Sequence, residues 1–193
     1  FIWTLGLPMI NSGLSRTSNP ELSLATLQVS RNFVWIILGF IENNMRQVPL
    51  IFGTNEAKMN YLKKFNMGIG ILLTAAVAIL ALTPLGNLGL LHVIGVSESI
   101  ANASRPVLIV LIGLPIILTL TEFYTGLLMR INNTKALSVG KIINLGITIS
   151  SVMLMSILFP QLGATAAAIG IIIGYLAELL FFRVVYSRSS AHQ

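Results

Sequence analysis

The chain has 193 residues, of which 55% are hydrophobic and only 9% are charged, and its mean hydropathy is +0.87. Soluble domains carry about 25% charged residues, so the composition excludes an ordinary soluble domain and predicts a helical membrane protein. The formal charge of +6 then indicates basic loops beside a membrane and not a nucleic-acid partner. Because the chain has no cysteine, disulfides, thiolate zinc sites and iron–sulfur clusters are excluded.

Continuous apolar runs predict one all-α bundle of six transmembrane helices, residues 1–186, followed by a short polar cytoplasmic tail, residues 187–193. The first span, residues 1–14, would be about 21 Å long as a helix. This is shorter than the ~30 Å hydrocarbon core, so we interpret it as a helix truncated at its start. The other five spans are predicted at residues 22–52, 67–82, 106–128, 142–158 and 164–185.

Polar stretches separate these spans, and prolines are expected to bend or end them. Residues 54–64 and 130–141 are predicted as basic loops, and residues 87–104 as an amphiphilic connector. Pro115 is expected to kink the fourth span and Pro160 to stop the fifth.

The distribution of basic residues predicts the orientation. Cytoplasmic loops of membrane proteins carry an excess of Lys and Arg. With the spans alternating, nine basic residues fall on one side and two, Arg16 and Arg105, on the other. The sequence therefore predicts a multi-pass protein of the plasma (inner) membrane with a cytoplasmic C-terminus. The nine are Arg46, Lys58, Lys63, Lys64, Arg130, Lys135, Lys141, Arg183 and Arg188.

The second span carries charges at hydrocarbon depth. At about 100° per residue, Arg31, Glu42 and Arg46 share one stripe of the helix with Gln28, Trp35 and Gly39. Each such charge costs about 2.5–3.5 kcal/mol on insertion scales, so the stripe is predicted to face protein or a wet cavity that lines a transport pathway. The alternative is an internal i, i+4 pair of Glu42 with Arg46. The opposite face shows Phe33, Ile37, Phe40, Ile41, Val48 and Phe52.

Two further acids lie inside predicted spans. Glu122 sits deep in the fourth span, where it either carries a proton or cation or pairs with Arg46 or Arg130. Glu178 extends a row of small residues that recurs every four positions and lets two helices approach closely. We therefore favour a structural hydrogen-bond anchor over a transport role for Glu178. The row is Ala166, Gly170 and Gly174.

Catalytic and metal-binding patterns are missing from the sequence. His92 and His192 have no partner at metal-ligand spacing, and there is no nucleophile elbow, phosphate-cradling glycine loop or HExxH pattern. The sequence therefore predicts no enzyme, no metal site and no cofactor. Coupling to an ion or proton gradient stays open.

Three stretches resemble one half of a transporter of the multidrug/oligosaccharidyl-lipid/polysaccharide exporter superfamily. They are the Pro-Met-Ile-Asn and Leu-Ser-Arg groups at 8–11 and 14–16, the polar, proline-containing end of the second helix at 42–53, and the Phe-Pro-Gln-Leu-Gly-Ala start of the last helix at 159–168. Within the superfamily the chain is most similar to the C-terminal lobe of the progressive ankylosis protein group. That group has an acid followed closely by an Arg where Glu42 and Arg46 stand, and segments 94–96 and 125–129 also fit.

The resemblance implies a MATE-like transporter of two six-helix lobes around a central cavity, with this chain as one lobe. Its partner would be a second six-helix lobe, in the same full-length chain or as a separate half-transporter. Relatives in the group are associated with export of pyrophosphate and other small organic anions, including ATP and citrate.

The working hypothesis is a secondary exporter that moves a small organic or phosphate-containing anion by alternating access. Its polar pathway would use Arg31, Glu42, Arg46 and Glu122, with Glu178 as a weaker candidate. Alternatives are a lipid-linked oligosaccharide or polysaccharide flippase, a multidrug efflux lobe, and a non-transporting membrane scaffold. A scaffold would show a closed bundle with its charges paired and no cavity, whereas a flippase would show an apolar groove open to the membrane.

Overall fold

A computed structural model describes residues 2–52 and 56–190, without the side chains of residues 2–5, 42–43, 56–57 and 190. The described ranges are helical and contain no strand. In chain order they form α1 (Ile2–Leu14), α2 (Pro20–Phe52), α3 (Glu56–Leu82), α4 (Pro84–Leu88), a π-helical segment (Gly89–Ile94), α5 (Glu98–Leu111), α6 (Leu114–Arg130), α7 (Thr134–Leu158), a 3-10 turn (Pro160–Leu162) and α8 (Ala164–Ser190).

Four of these helices, α2, α3, α7 and α8, are long and apolar enough to cross a membrane. Helices α5 and α6 meet at a bend of 46° and would be a fifth span if they cross together. Helix α1 has 13 described residues, too few for a span. The chain is therefore a helical membrane bundle, and four or five spans pass the length and composition test where the sequence predicts six.

Several predicted boundaries are wrong because the helices continue beyond the apolar runs. The basic segments at 54–64 and 130–141 are mostly helical, since α3 begins at Glu56 and α7 at Thr134. The side chain of Asn133 caps α7 by accepting a hydrogen bond from the Ala136 amide at 3.4 Å. The connector predicted at 87–104 is also helical, and α5 already begins at Glu98.

The predicted kink in the fourth span lies slightly upstream of Pro115. The break falls at residues 112–113, and Pro115 occupies the first turn of α6, where its missing N–H would have no partner in any case. Pro160 follows the end of α7 as predicted. The tail predicted at 187–193 continues α8 to residue 190, and residues 191–193 lie outside the described part.

Successive long helices run antiparallel, so the bundle has two ends. At one end, which we call the basic end, α2 and α6 finish beside each other, and Gly126 of α6 packs directly on the backbone of Arg46 and the ring of Pro49. At the opposite end, the Ser18 amide donates to the Pro160 carbonyl at 3.1 Å. The nine basic residues predicted to share one side thus belong to the basic end and the helical turns next to it.

The apolar core lies between α2, α5, α6 and α8. Helix α2 buries a face that includes Val34, Leu38, Ile41 and Met45. Ile41 is completely buried, which corrects its assignment to the face opposite the charges, whereas Phe40 is exposed as that assignment requires. The charged stripe therefore flanks the buried face of α2.

Small residues bring α7 and α8 into close contact, as the row on α8 predicts. A methyl group at Gly170 would meet a methyl group of Val152 at 2.6 Å, and one at Gly174 would overlap the hydroxyl of Thr148. On α7, Gly140 lies directly against the ring of Phe182. Backbones this close stabilise membrane helix pairs through van der Waals packing and hold polar groups of the two helices within bonding distance.

Candidate functional site

A cavity of about 440 Å³ lies in the middle of the bundle. Arg31 is about 16 Å from the start of α2 and Tyr175 about 16 Å from the start of α8, so the cavity lies well inside the bundle, away from this end of the two helices. Its walls come from α1, α2, α7 and α8 and from both sides of the α5–α6 bend. The lining residues are Gly6, Leu7, Ile10, Leu27, Arg31, Trp35, Leu111, Leu114, Asn144, Leu145, Thr148, Ile171 and Tyr175.

Arg31 is the charged residue of this lining. Its Cζ lies 5.9 Å from the centroid of the Trp35 ring, one helical turn further along α2. An aromatic face attracts a cation at this distance and orients the half-buried guanidinium. Among the carboxylates whose side chains are described, none pairs with Arg31. The backbone of Glu42 is about 16 Å further along α2.

A polar network joins α7 to α8 next to the cavity. Glu178 is completely buried; its Oε1 is 2.6 Å from Lys141 Nζ, and its Oε2 accepts a hydrogen bond from Asn144 Nδ2 at 2.5 Å. The Thr148 hydroxyl donates to Asn144 Oδ1 at 3.2 Å. Lys141 Nζ also lies 6.0 Å from the centroid of the Tyr175 ring. The network matches the anchor role predicted for Glu178, and it corrects the placement of Lys141 in a loop.

A second ion pair joins α2 to α6. Arg46 Nε donates to Glu122 Oε2 at 2.7 Å; the Glu122 side chain is 1% exposed and that of Arg46 28%. Of the roles open to Glu122, pairing with Arg46 is the one observed, and Arg130 is not its partner in the described contacts. The side chain of Glu42 lies outside the described part, so its predicted pairing with Arg46 is not tested.

The five predicted site residues therefore fall into separate groups. Arg31 lines the cavity, Glu178 belongs to the network beside it, and Arg46 with Glu122 forms a pair nearer the basic end. The sequence reasoning missed Lys141, Asn144 and Thr148, although their i, i+3, i+7 spacing marks one face of α7. The helical spacing used for the second span would have grouped Asn144 with Thr148 in the fifth span, but Lys141 lay outside that span, in the predicted loop.

The described residues contain no group of three His or acidic side chains that could hold a metal ion. The chemistry offered by the site is instead recognition of an anion by a guanidinium within an apolar, aromatic cavity. In comparisons with known proteins, no family model, no curated protein and no solved structure matches the chain.

Proposed function

We propose that this chain forms one lobe of a secondary transporter that carries a small organic anion across a membrane by alternating access. The observation that carries the proposal is the cavity inside the bundle with the Arg31 guanidinium in its wall. Transporters bind their substrates near the bilayer midplane, between helices that are interrupted or bent there. The break between α5 and α6 borders this cavity through Leu111 and Leu114.

The charge of Arg31 supports a binding role. An arginine at the centre of a membrane is costly, and such residues mark substrate or ion pathways. A guanidinium binds a carboxylate or phosphate through two parallel hydrogen bonds, which are strong where water is scarce. An anion entering the cavity would compensate the charge of Arg31.

The ion pairs have a supporting part in the proposal. Arg46 with Glu122 ties α2 to α6, and Lys141 with Glu178 ties α7 to α8. Each helix pair would then move as a unit. Alternating access would also use the bend between α5 and α6 and a second six-helix lobe. The second lobe is part of the proposal because the family resemblance implies it.

The scaffold alternative accounts for only part of the geometry. It predicts internally paired charges, and the two ion pairs fit that prediction. It also predicts a closed bundle without a cavity, whereas about 440 Å³ of space adjoins Arg31. This difference favours transport over a structural role.

Anion uptake into proteoliposomes tests the proposal. We expect the transporter reconstituted with both lobes to take up one or more of labelled benzoate, citrate and pyrophosphate, and Arg31→Gln to reduce that uptake at least tenfold. Hydrogen bonds to charged groups contribute about 1.5–3 kcal/mol, and 1.4 kcal/mol is tenfold. The matched control is Arg16→Gln, which removes an exposed guanidinium from the turn between α1 and α2 and should stay within about twofold of wild type.

Unchanged uptake by a correctly inserted Arg31→Gln variant would overturn the role of the cavity. The absence of anion uptake by the wild-type protein reconstituted with both lobes, with and without an imposed proton or sodium gradient, would overturn the transport proposal.

A further inference from the structure

The charged side chains described inside the bundle form two ion pairs, and Arg31 belongs to neither. Arg46 is bonded to Glu122 at 2.7 Å, and Lys141 is bonded to Glu178 at 2.6 Å. These four charges cancel within their pairs, and Arg31 adds one positive charge that no described carboxylate compensates. The cavity is therefore matched electrostatically by a ligand with one negative charge.

The remaining wall offers no second cation, because Arg31 is the charged residue of the lining. Asn144 donates from Nδ2 to Glu178 and accepts from Thr148 at Oδ1, so its amide is already oriented by the α7–α8 network. Most of the other lining is aliphatic. An additional carboxylate or phosphate there would lose its water without gaining a cationic partner, which is strongly unfavourable. The aliphatic residues are Leu7, Ile10, Leu27, Leu111, Leu114, Leu145 and Ile171.

We propose that the cavity selects organic anions with a single charged head and an apolar body. The head binds Arg31 in the space beside Trp35, and the body packs against the aliphatic wall and the ring of Tyr175. This assignment deepens the proposed function and rests on it, because it names the substrate class of the same cavity. It departs from the polyanions, such as pyrophosphate or citrate, that the family resemblance suggests.

The cation beside the cavity that a polyanion would need is already engaged. Lys141 would have to leave the carboxylate of Glu178, which is 0% exposed, and an ion separated from its partner in a low-dielectric interior is costly. Arg46 is about 22 Å further along α2 than Arg31, too far to serve as a second partner. A monoanion avoids this cost because it requires no rearrangement of either pair.

A pair of matched ligands tests the assignment. Cyclohexanecarboxylate has one charge and an apolar ring, and trans-cyclohexane-1,4-dicarboxylate adds a second carboxylate at the far end of the same ring. Trp35 provides the signal, because the chain has two tryptophans and Trp3→Phe leaves Trp35 as the sole one. Binding to the reconstituted protein is measured as a saturable change in Trp35 fluorescence, with cyclohexylmethanol as the uncharged control and pyrophosphate as the polyanion.

We expect cyclohexanecarboxylate to bind at least tenfold more tightly than the dicarboxylate, the alcohol or pyrophosphate. Arg31→Gln should weaken its binding at least tenfold, and Arg31→Lys, which keeps the charge and loses the planar fork, should fall in between. Arg16→Gln should bind as wild type. The ligand comparison uses the protein with an intact cavity, so it stands even if an Arg31 variant fails to fold.

Dicarboxylate or pyrophosphate binding as tight as that of the monocarboxylate would overturn the assignment, as would unchanged binding in Arg31→Gln. Uptake of pyrophosphate or citrate without monocarboxylate binding would defeat this inference and leave the transport proposal intact. Monocarboxylate binding without uptake of any anion would defeat the transport proposal and support the monoanion site. If none of these anions binds, both fail.

Discussion

Glu122 shows how a single contact allows a charge inside this membrane bundle. Its side chain is 1% exposed, and Arg46 from another helix holds it at 2.7 Å. Removing one partner of a buried pair leaves an uncompensated charge and typically costs 3–5 kcal/mol, whereas removing both costs much less. The stability of the α2–α6 contact should therefore depend on the two residues together.

We predict that Arg46→Gln lowers the free energy of unfolding by about 3–5 kcal/mol and that adding Glu122→Gln recovers part of the loss. The measurement is a double-mutant cycle of unfolding free energies in detergent. Arg130→Gln is the matched control, since Arg130 is exposed at the end of the same helix as Glu122 and its change should stay within about 0.5 kcal/mol. Equal effects of Arg46→Gln and Arg130→Gln would show that the pair contributes nothing to stability.

The sequence identified the charged residues inside the bundle better than it identified their partners. Periodicity along α2 placed Arg31 and Trp35 on one stripe, and both line the cavity. The partner of Glu122 stayed open between Arg46 and Arg130, because helix spacing relates neighbours within a helix only. The two bonded residues are 76 positions apart, and their contact depends on how α2 packs against α6.

Helices α7 and α8 show that the sequence also predicted contacts between whole helices only in part. The row of small residues on α8 predicted a close helix contact, and α7 is the partner. The sequence did not show that α7 contributes its own glycine: Gly140 lies against the buried ring of Phe182, whereas Gly146, six residues later, has open space around it.

This contrast yields a prediction about two glycines of one helix. Gly140→Ala should lower the unfolding free energy by about 1–3 kcal/mol, because the new methyl group overlaps Phe182, which is fully buried. Gly146→Ala should be neutral or raise it by up to about 1 kcal/mol, because alanine favours helix and meets no atom there. Thermal unfolding of the two variants in one detergent compares them. A Gly146→Ala variant less stable than Gly140→Ala would contradict the packing described for this helix pair.

Helix ends were harder to predict than helix cores. The predicted spans followed the apolar runs, but the basic turns in the first parts of α3 and α7 belong to the same helices. Lys and Glu are good helix formers, so charge alone does not end a helix. The position of the break before α6 was also predicted inexactly, because Pro115 fits the first turn of a helix as well as a kink within one.

The whole bundle has an asymmetric charge distribution that relates it to the membrane. Its basic end contains the end of α2, the start of α3 and the turn between α6 and α7, and the opposite end contains the segment between the π-helical turn and α5. Excess Lys and Arg favour the cytoplasmic side. We therefore expect the basic end, with the last turn of α8, to face the cytoplasm.

Because the chain has no cysteine, single cysteines can report this orientation without background. Thr134→Cys places a thiol at the exposed start of α7 on the basic end, and Ser97→Cys places one at the exposed turn before α5. We expect a membrane-impermeant maleimide to label Ser97→Cys in intact cells and to label Thr134→Cys only after lysis. The reverse pattern would contradict the orientation.

The same experiment decides whether α5 and α6 cross the membrane as one bent span, because the two positions flank this helix pair. Labelling on opposite sides supports a single crossing with a 46° bend and a total of five long spans. Labelling of both cysteines in intact cells, or of neither, would mean that the pair enters and leaves on one side as a re-entrant hairpin. The cavity would then lie beside the tip of that hairpin, at Leu111 and Leu114, and alternating access would need to be explained by movement of the hairpin instead of a bent transmembrane span.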